Sequence, residues 1–339
     1  RRLPRMRGGR LRRSTRWSPA QWRRTRFFPA RPSPESEAVL VDGSRVAVIG
    51  GGPAGSLFAY FLLRLADAVD LDISVDIYEP RHFSNSGPAG CNHCGGIVSE
   101  SLVQMLATEG INLPSTVVQR GIYSYVLHMD AGSVEIESPV EEQRIAAIYR
   151  GNGPRTAVDM PWDSFDGYLQ QICEKEGATI VHQLVTGLER EGELPVVRTR
   201  EGTTPYDLVS VACGVNSNFH LLLDGDSSIG KPETSRTFIT EFELGAEQIL
   251  ETLGDSMHVF LLNIPRLEFA ALIPKGDYVT LAMLGEDIDE ELVREFLESP
   301  EVRKAFPTDL IPAVCMCAPL ININGPERPF ADRVVLIGD

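Results

Sequence analysis

No stretch of the 339 residues approaches the ~18–20 consecutive apolar residues of a membrane-spanning helix. The best candidate, the run after Gly55, is broken by Arg64 and Asp67. Peripheral contact is the most that this chain offers a membrane. A disulfide framework is also missing. Six cysteines at uneven spacing point to a reducing compartment, and the expected location is the cytoplasm. Metal-ligand spacing is absent among the histidines: His82, His93, His128, His182, His220 and His258 are scattered, and none has a partner one helical turn away. The first 31 residues lack both acid and lysine, yet they hold twelve arginines. Without those arginines the formal charge of −15 becomes −27, so the body is strongly acidic and nucleic acid is excluded as its partner. The basic segment has three readings: a targeting peptide, a disordered arm, or upstream sequence translated in error. The last is favoured, because the segment has no apolar period and opens on Arg1. Residues 1–43 are therefore set aside as a disordered basic leader or a spurious extension.

What is present begins at Val46. The run Val46-Ala-Val-Ile49 has strand composition and leads directly into Gly50-Gly-Gly52-Pro53-Ala54-Gly55. A good helix former follows, Ser56 to Asp67, and then a second strand, Ile73 to Glu79. In such a unit Gly50 permits the strand-to-helix turn, Gly52 admits a pyrophosphate to the backbone, and Gly55 lets the helix pack close to the strand. The free N–H groups at the helix start favour anionic oxygen. Glu79 ends the second strand where a ribose hydroxyl is held. Dinucleotide binding follows from this order of elements; the bland alternative is a tight strand–helix turn with no ligand.

The form GGGPAG followed by that acid resembles the first FAD motif of the flavoprotein family that includes aromatic hydroxylases and geranylgeranyl reductases. Two later segments are similar to motifs of the same family. Tyr206-Asp-Leu-Val-Ser-Val-Ala-Cys-Gly214-Val-Asn-Ser217 resembles its return to the nucleotide-binding sheet. Asp332-Arg-Val-Val-Leu-Ile-Gly-Asp339 resembles its last motif, whose Asp holds the ribityl chain. The resemblance implies an α/β fold: a three-layer Rossmann-type FAD domain and a second, mainly antiparallel domain for the substrate. Residues 44–218 would form the first part of the FAD domain, 219–330 the substrate domain, and 331–339 a return strand. In this family the chain continues past Gly338-Asp339 into a helix, so a fragment is expected.

The stretch Cys91-Asn-His-Cys94-Gly95-Gly96-Ile97 is the second informative segment. A CxxC pair is open to several readings: a zinc half-site, a disulfide-exchanging dithiol, or loop cysteines with no chemistry. Cys315-x-Cys317 is the other close pair, and its spacing is poor for zinc. The segment is also similar to a geranylgeranyl reductase loop in which Cys-Gly lines the flavin and substrate cavity, and Cys94 to Ile97 carry that match. The resemblance places Cys94 and, less centrally, Cys91 in catalysis. It assigns cofactor contacts to Gly50, Gly52, Pro53, Ala54, Gly55, Glu79, Gly95, Gly96, Ile97, Val185, Gly214 and Asp339. Ser164-Phe-Asp-Gly-Tyr-Leu169 resembles the family's helix motif, but Trp162 stands where a phosphate-binding Arg is usual, with Arg144, Arg150 and Arg155 as substitutes. Phe269 to Asp277 matches an aromatic-rich prenyl-contacting segment only in Phe269 and the Pro-Lys-Gly-Asp tail.

The function that the resemblance implies is an FAD-dependent oxidoreductase that reduces or dehydrogenates a hydrophobic substrate, with isoprenoids in its range. There is no second GxGxxG, so electrons would come from NAD(P)H visiting transiently or from a ferredoxin-type donor. A flavin monooxygenase or halogenase is one alternative. A non-catalytic redox sensor using Cys91 and Cys94 is another.

Overall fold

The computed structural model describes residues 40–91, 94–138, 140, 142–157, 162–217, 233–306, 313–325 and 329–338. Leu40–Asp339 is one compact unit. The leader boundary expected at residue 43 falls inside this unit. Leu40 packs against the first core, and the Gly43 N–H donates to the Asp72 carbonyl at 2.8 Å.

A six-stranded sheet runs in the order Phe330–Ala331, Val334–Leu336, Leu208–Val211, Ser44–Ile49, Ile73–Tyr78, Thr179–Val181. Its pairings are parallel except the first. The Ser44–Ile49 strand is central, and Val46, Ala47, Val48 and Ile49 are all buried. That explains its unbroken apolar run, because a parallel strand covered on both faces has no polar side. On one face the helices Pro53–Ala68 and Phe165–Lys175 pack with Val46, Val48, Val75 and Ile77. On the other, a three-stranded meander, Gly187–Glu191, Leu194–Arg198 and Thr203–Pro205, closes over Ala47, Ile49 and Val209.

The helix Phe165–Lys175 is set by its sequence. The Ser164 hydroxyl caps it by accepting the Gly167 N–H at 2.9 Å. Phe165, Leu169 and Cys173 recur at helical spacing and are buried.

The second large sheet has Glu233–Glu243, Ser256–Leu261, Leu267–Lys275 and Tyr278–Gly285 at its centre, with Ala313–Cys317 on one edge. The helices Ala246–Thr252, Glu290–Glu298 and Pro300–Ala305 cover one face over Phe260, Leu272 and Leu281. The acidic run 285–291 supplies that layer with a helix start: the Asp289 carboxylate accepts the Leu292 N–H at 2.9 Å and pairs with Arg266.

Chain order places the hairpin Ser124–Met129 and Gly132–Glu137 within 44–218, but its register places it in this second sheet. Ser124–Met129 pairs in parallel with Ser256–Leu261. A further small sheet, Ile97–Val98, Val118–Ile122 and Ile145–Ile148, packs on the second large sheet through Ile122, Ala147, Ala271 and Ile273. Among the described residues no helix is long and apolar enough to cross a membrane.

Candidate active site

The turn after Ser44–Ile49 is held from three sides. The Gly50 N–H donates to the Tyr78 carbonyl at 2.8 Å, and the Ser56 hydroxyl and Gln170 amide both donate to the Gly51 carbonyl, at 3.0 and 3.2 Å. Gly50 has φ +106°, and a Cβ there would stand 2.5 Å from the Ala212 oxygen. A Cβ on Gly55 would overlap the Gly50 carbonyl oxygen. The loop is therefore a bare-backbone turn wedged between strand and helix. The helix Pro53–Ala68 starts without a side-chain cap and without an acid in its first turn. Its leading N–H groups are left for an outside acceptor.

Glu79 is buried at 2% exposure and braces the loop. Its carboxylate accepts the Gly51 N–H at 3.1 Å, the Arg81 N–H at 3.0 Å and the Arg81 Nε at 3.2 Å. A carboxylate has about four acceptor sites. One remains for a hydroxyl donor.

These groups open into one cleft of 760 Å³. Gly50, Gly52, Pro53, Ala54, Glu79 and Gly214 line its nucleotide-side end, with Arg81 and Arg150 as cations. Cys94 and Gly95 stand midway, and Ile239, Phe269, Met283, Leu284 and Ile321 from the second sheet form an apolar end. Residues far apart along the chain thus meet in one continuous hollow.

Arg150 is held by an almost flat two-point pair. Its Nε and a terminal nitrogen donate to the two Asp166 oxygens at 3.0 Å each, and Asp166 is fully buried. Asp166 and the Cys94 thiol beside it raise the Arg150 pKa against the opposing pull of desolvation. Of the three substitutes for the missing arginine, Arg150 alone lines the cleft. Arg144 pairs with Glu100 and Glu142, and Arg155 lies against Gly87. Trp162 stacks at a tilt on Tyr149 instead, with ring centroids 5.5 Å apart.

Several expected contacts are not in the cleft. Ile97 pairs with Ala147 and packs in the apolar seam between sheets. Val185 lies beyond the short strand Thr179–Val181 and is a core residue with Leu188 and Val197. Gly55 acts from beneath the loop. Gly96, at φ +72°, faces the Ile148 carbonyl and Lys275. Cys91 lines a smaller hollow behind Cys94. Asp339 lies outside the described residues. Cleft residues that the motifs did not single out include Arg81, Cys317, Ile239, Met283, Leu284 and Ile321. For Arg81 a signal existed, a cation two positions after the acid that follows the second strand. Cys317 had none, because only folding brings it near Cys94.

No protein-family model and no curated protein matches this chain. Solved structures do. A geranylgeranyl bacteriochlorophyll reductase-like protein of Thermoplasma acidophilum is similar with a TM-score of 0.64 at 16% identity, over 88% of this chain and 71% of that one. The flavin-dependent brominase Bmp2 gives 0.64 at 15% identity, over 88% and 72%. The p-nitrophenol 4-monooxygenase PnpA of Pseudomonas putida gives 0.59 at 14% identity, over 89% and 73%. The fold is that of these proteins. The resemblance carried by the three motifs holds at this level, and so does the α/β class. In this fold the three motifs end neighbouring strands of one sheet: Leu208–Val211 pairs with Ser44–Ile49, and Val334–Leu336 pairs with Leu208–Val211 on its far side.

Proposed function

We propose that this chain is an FAD-dependent oxidoreductase that reduces or dehydrogenates a hydrophobic substrate. One observation carries the reading: a single cleft joins an uncapped, glycine-lined helix start to an apolar wall. The residues present suit a dinucleotide. Gly50 and Gly55 leave no room for a side chain, the helix start offers unpaired N–H groups, and Arg81 and Arg150 add positive charge. When bound, the flavin supplies hydride transfer.

The chain's own residues do the rest. The Gly52–Gly55 backbone holds the pyrophosphate, and Glu79 holds a ribose hydroxyl with its remaining acceptor site. Arg150, fixed by Asp166, faces the middle of the cleft beside Cys94. Ile239, Phe269, Met283, Leu284 and Ile321 exclude water and accept an apolar substrate, isoprenoids included. The electron donor in this reading is NAD(P)H binding transiently or a ferredoxin-type protein. Purified full-length protein should carry a stoichiometric flavin, identified as FAD after release; once that flavin is reduced anaerobically with dithionite, an apolar alkene should reoxidise it and be reduced in turn. Absence of any flavin after reconstitution with FAD would overturn the reading. Product formed only with oxygen consumption would replace it with a monooxygenase or halogenase.

A further inference from the structure

Four of the six cysteines converge. Cys91 and Cys94 come from the loop before Ile97–Val98, and Cys315 and Cys317 from the edge strand Ala313–Cys317. All four line one 40 Å³ hollow with Tyr149, Arg150, Ile239 and Glu241. Cys173 is buried against the Ser56 carbonyl elsewhere, and Cys213 is on the nucleotide side of the large cleft. Cys94 and Cys317 are the two thiols that line both the hollow and the 760 Å³ cleft. They stand at the seam between the two spaces.

The placement follows from backbone geometry. Residues two apart on a strand share a face. The register Ile239↔Cys317 and Glu241↔Cys315 sets both thiols beside the two side chains that line the same hollow. Ala313–Cys317 is an edge strand paired on one side by Glu233–Glu243, so it can shift without breaking a second ladder. In the facing loop a Cβ on Gly95 would sit in ordinary contact with Ile273 at 3.4 Å and Ala282 at 3.7 Å, without a clash. Cys94 Sγ accepts the Gly96 N–H at 3.3 Å and also interacts with the Arg150 guanidinium. Cys94 is exposed and Cys317 is half-buried; burial, then Cys91, Cys315, Glu241 and Cys94, push Cys317 up to about 12. Among the described residues no three His, Cys, Asp or Glu side chains are grouped as metal ligands would be. None of the six cysteines forms a disulfide.

We infer that Cys94 and Cys317 form a reversible disulfide across this seam, exchanging two electrons with the flavin in the adjoining cleft. In the oxidising direction both S–H bonds break and one S–S bond forms. Two electrons and one proton pass to the oxidised flavin, and the second proton goes to solvent. The reverse step restores both thiols. The bond ties the Cys94 loop to the edge strand at the midpoint of the cleft. The unequal settings of the two sulfurs suit exchange, with the better-solvated Cys94 as attacking group and half-buried Cys317 as its resolving partner. The electron-exchange half rests on the flavin reading above; the disulfide itself does not.

The test therefore has two arms. In the first, full-length protein is equilibrated in graded reduced and oxidised dithiothreitol, trapped with a maleimide and mapped by mass spectrometry. A Cys94–Cys317 cross-link that appears and disappears in one two-electron step is expected. Cys315→Ser, on the same strand and lining the same hollow, should keep it, and Cys94→Ser or Cys317→Ser should abolish it. A Cys91–Cys94 link instead, thiols that stay reduced throughout, or thiols protected by a co-purified metal would each overturn the inference. In the second arm, oxidised FAD-loaded protein is titrated anaerobically with dithionite. Two two-electron equivalents should be consumed before the flavin is fully reduced in the parent chain, and one in Cys317→Ser. Equal consumption in the two would refute electron exchange even where the cross-link maps as expected. Failure to load FAD would refute the flavin reading and leave the first arm to judge the disulfide.

Discussion

Replacing Gly50 with alanine tests whether the loop is wedged as described. Two separate penalties apply. The backbone at Gly50 sits at φ +106°, which an L side chain rarely adopts, and such strain costs about 1–3 kcal/mol. The added Cβ would also lie 2.5 Å from the Ala212 oxygen, 2.7 Å from its carbonyl carbon and 2.8 Å from the Cys213 Cα. Comfortable carbon contacts are ~3.5–4.0 Å, so one strand end must retreat by ~1 Å. The atoms met are backbone, and no rotamer change relieves them. Ala212 cannot retreat freely, because its N–H donates to the Ile49 carbonyl at 2.7 Å. Overpacking of this kind costs about 1–3 kcal/mol. Together the penalties come to roughly 3–5 kcal/mol, a melting-temperature drop on the order of 10 °C. Gly132 is the control. It has φ +127° with nothing within 4 Å of a Cβ, so Gly132→Ala carries strain alone. Thermal unfolding of the two variants, followed by circular dichroism, separates the steric part from the conformational part. Flavin content should fall in Gly50→Ala and stay whole in Gly132→Ala. Equal melting temperatures for the two variants would refute the wedge.

Asp166→Ala leaves the Arg150 guanidinium without its buried partner, and the expected loss is about 3–5 kcal/mol in chemical denaturation; a loss below ~1 kcal/mol would show that water replaces the carboxylate. Lys275→Met removes the ammonium 3.9 Å from Glu241, whose carboxyl burial already pushes up, so the Glu241 pKa should rise further and the buried carboxylate should destabilise the fold. Adding Glu241→Gln to that variant should restore part of the lost melting temperature, and a second loss of equal size would refute the coupling. His128 Nε2 lies 2.9 Å from His258 Nδ1, and burial, the second imidazole and Lys304 lower the His128 pKa to about 4. The folded form thus binds the proton less readily than the unfolded chain at 6.5. Stability from the neutral pair is whole above pH 6.5 and is lost as pH falls toward about 4. His128→Gln should flatten the melting-temperature profile over that window, and an unchanged slope would exclude the pair as its source.

Much of this is legible in local pattern. The glycine turn, the helix after it and Glu79 are neighbours within one strand–helix–strand unit, and local sterics dictate their arrangement. The helix Glu290–Glu298 likewise follows from its cap and its apolar period. Ile97 and Val185 miss the cleft for a common reason. Position after a motif points each toward the cofactor, and each side chain instead enters a core that another segment completes. The hairpin Ser124–Glu137 is visible in sequence as a hairpin, but its parallel partner Ser256–Leu261 is more than a hundred residues away.

The sequence by itself determined the glycine-rich strand-to-helix turn, because its requirements are set by backbone dihedrals and by atoms within a few residues. It also determined the acidic body and the α/β class, which are sums over composition and period. Only the tertiary structure decided which arginine enters the cleft and where the thiols meet. Arg150 is chosen over Arg144 and Arg155 because buried Asp166 holds it there. Cys94 and Cys317 become neighbours because an edge strand of one sheet packs against a loop leaving the other. Such contacts depend on how sheets stack, and no spacing along the chain encodes that directly.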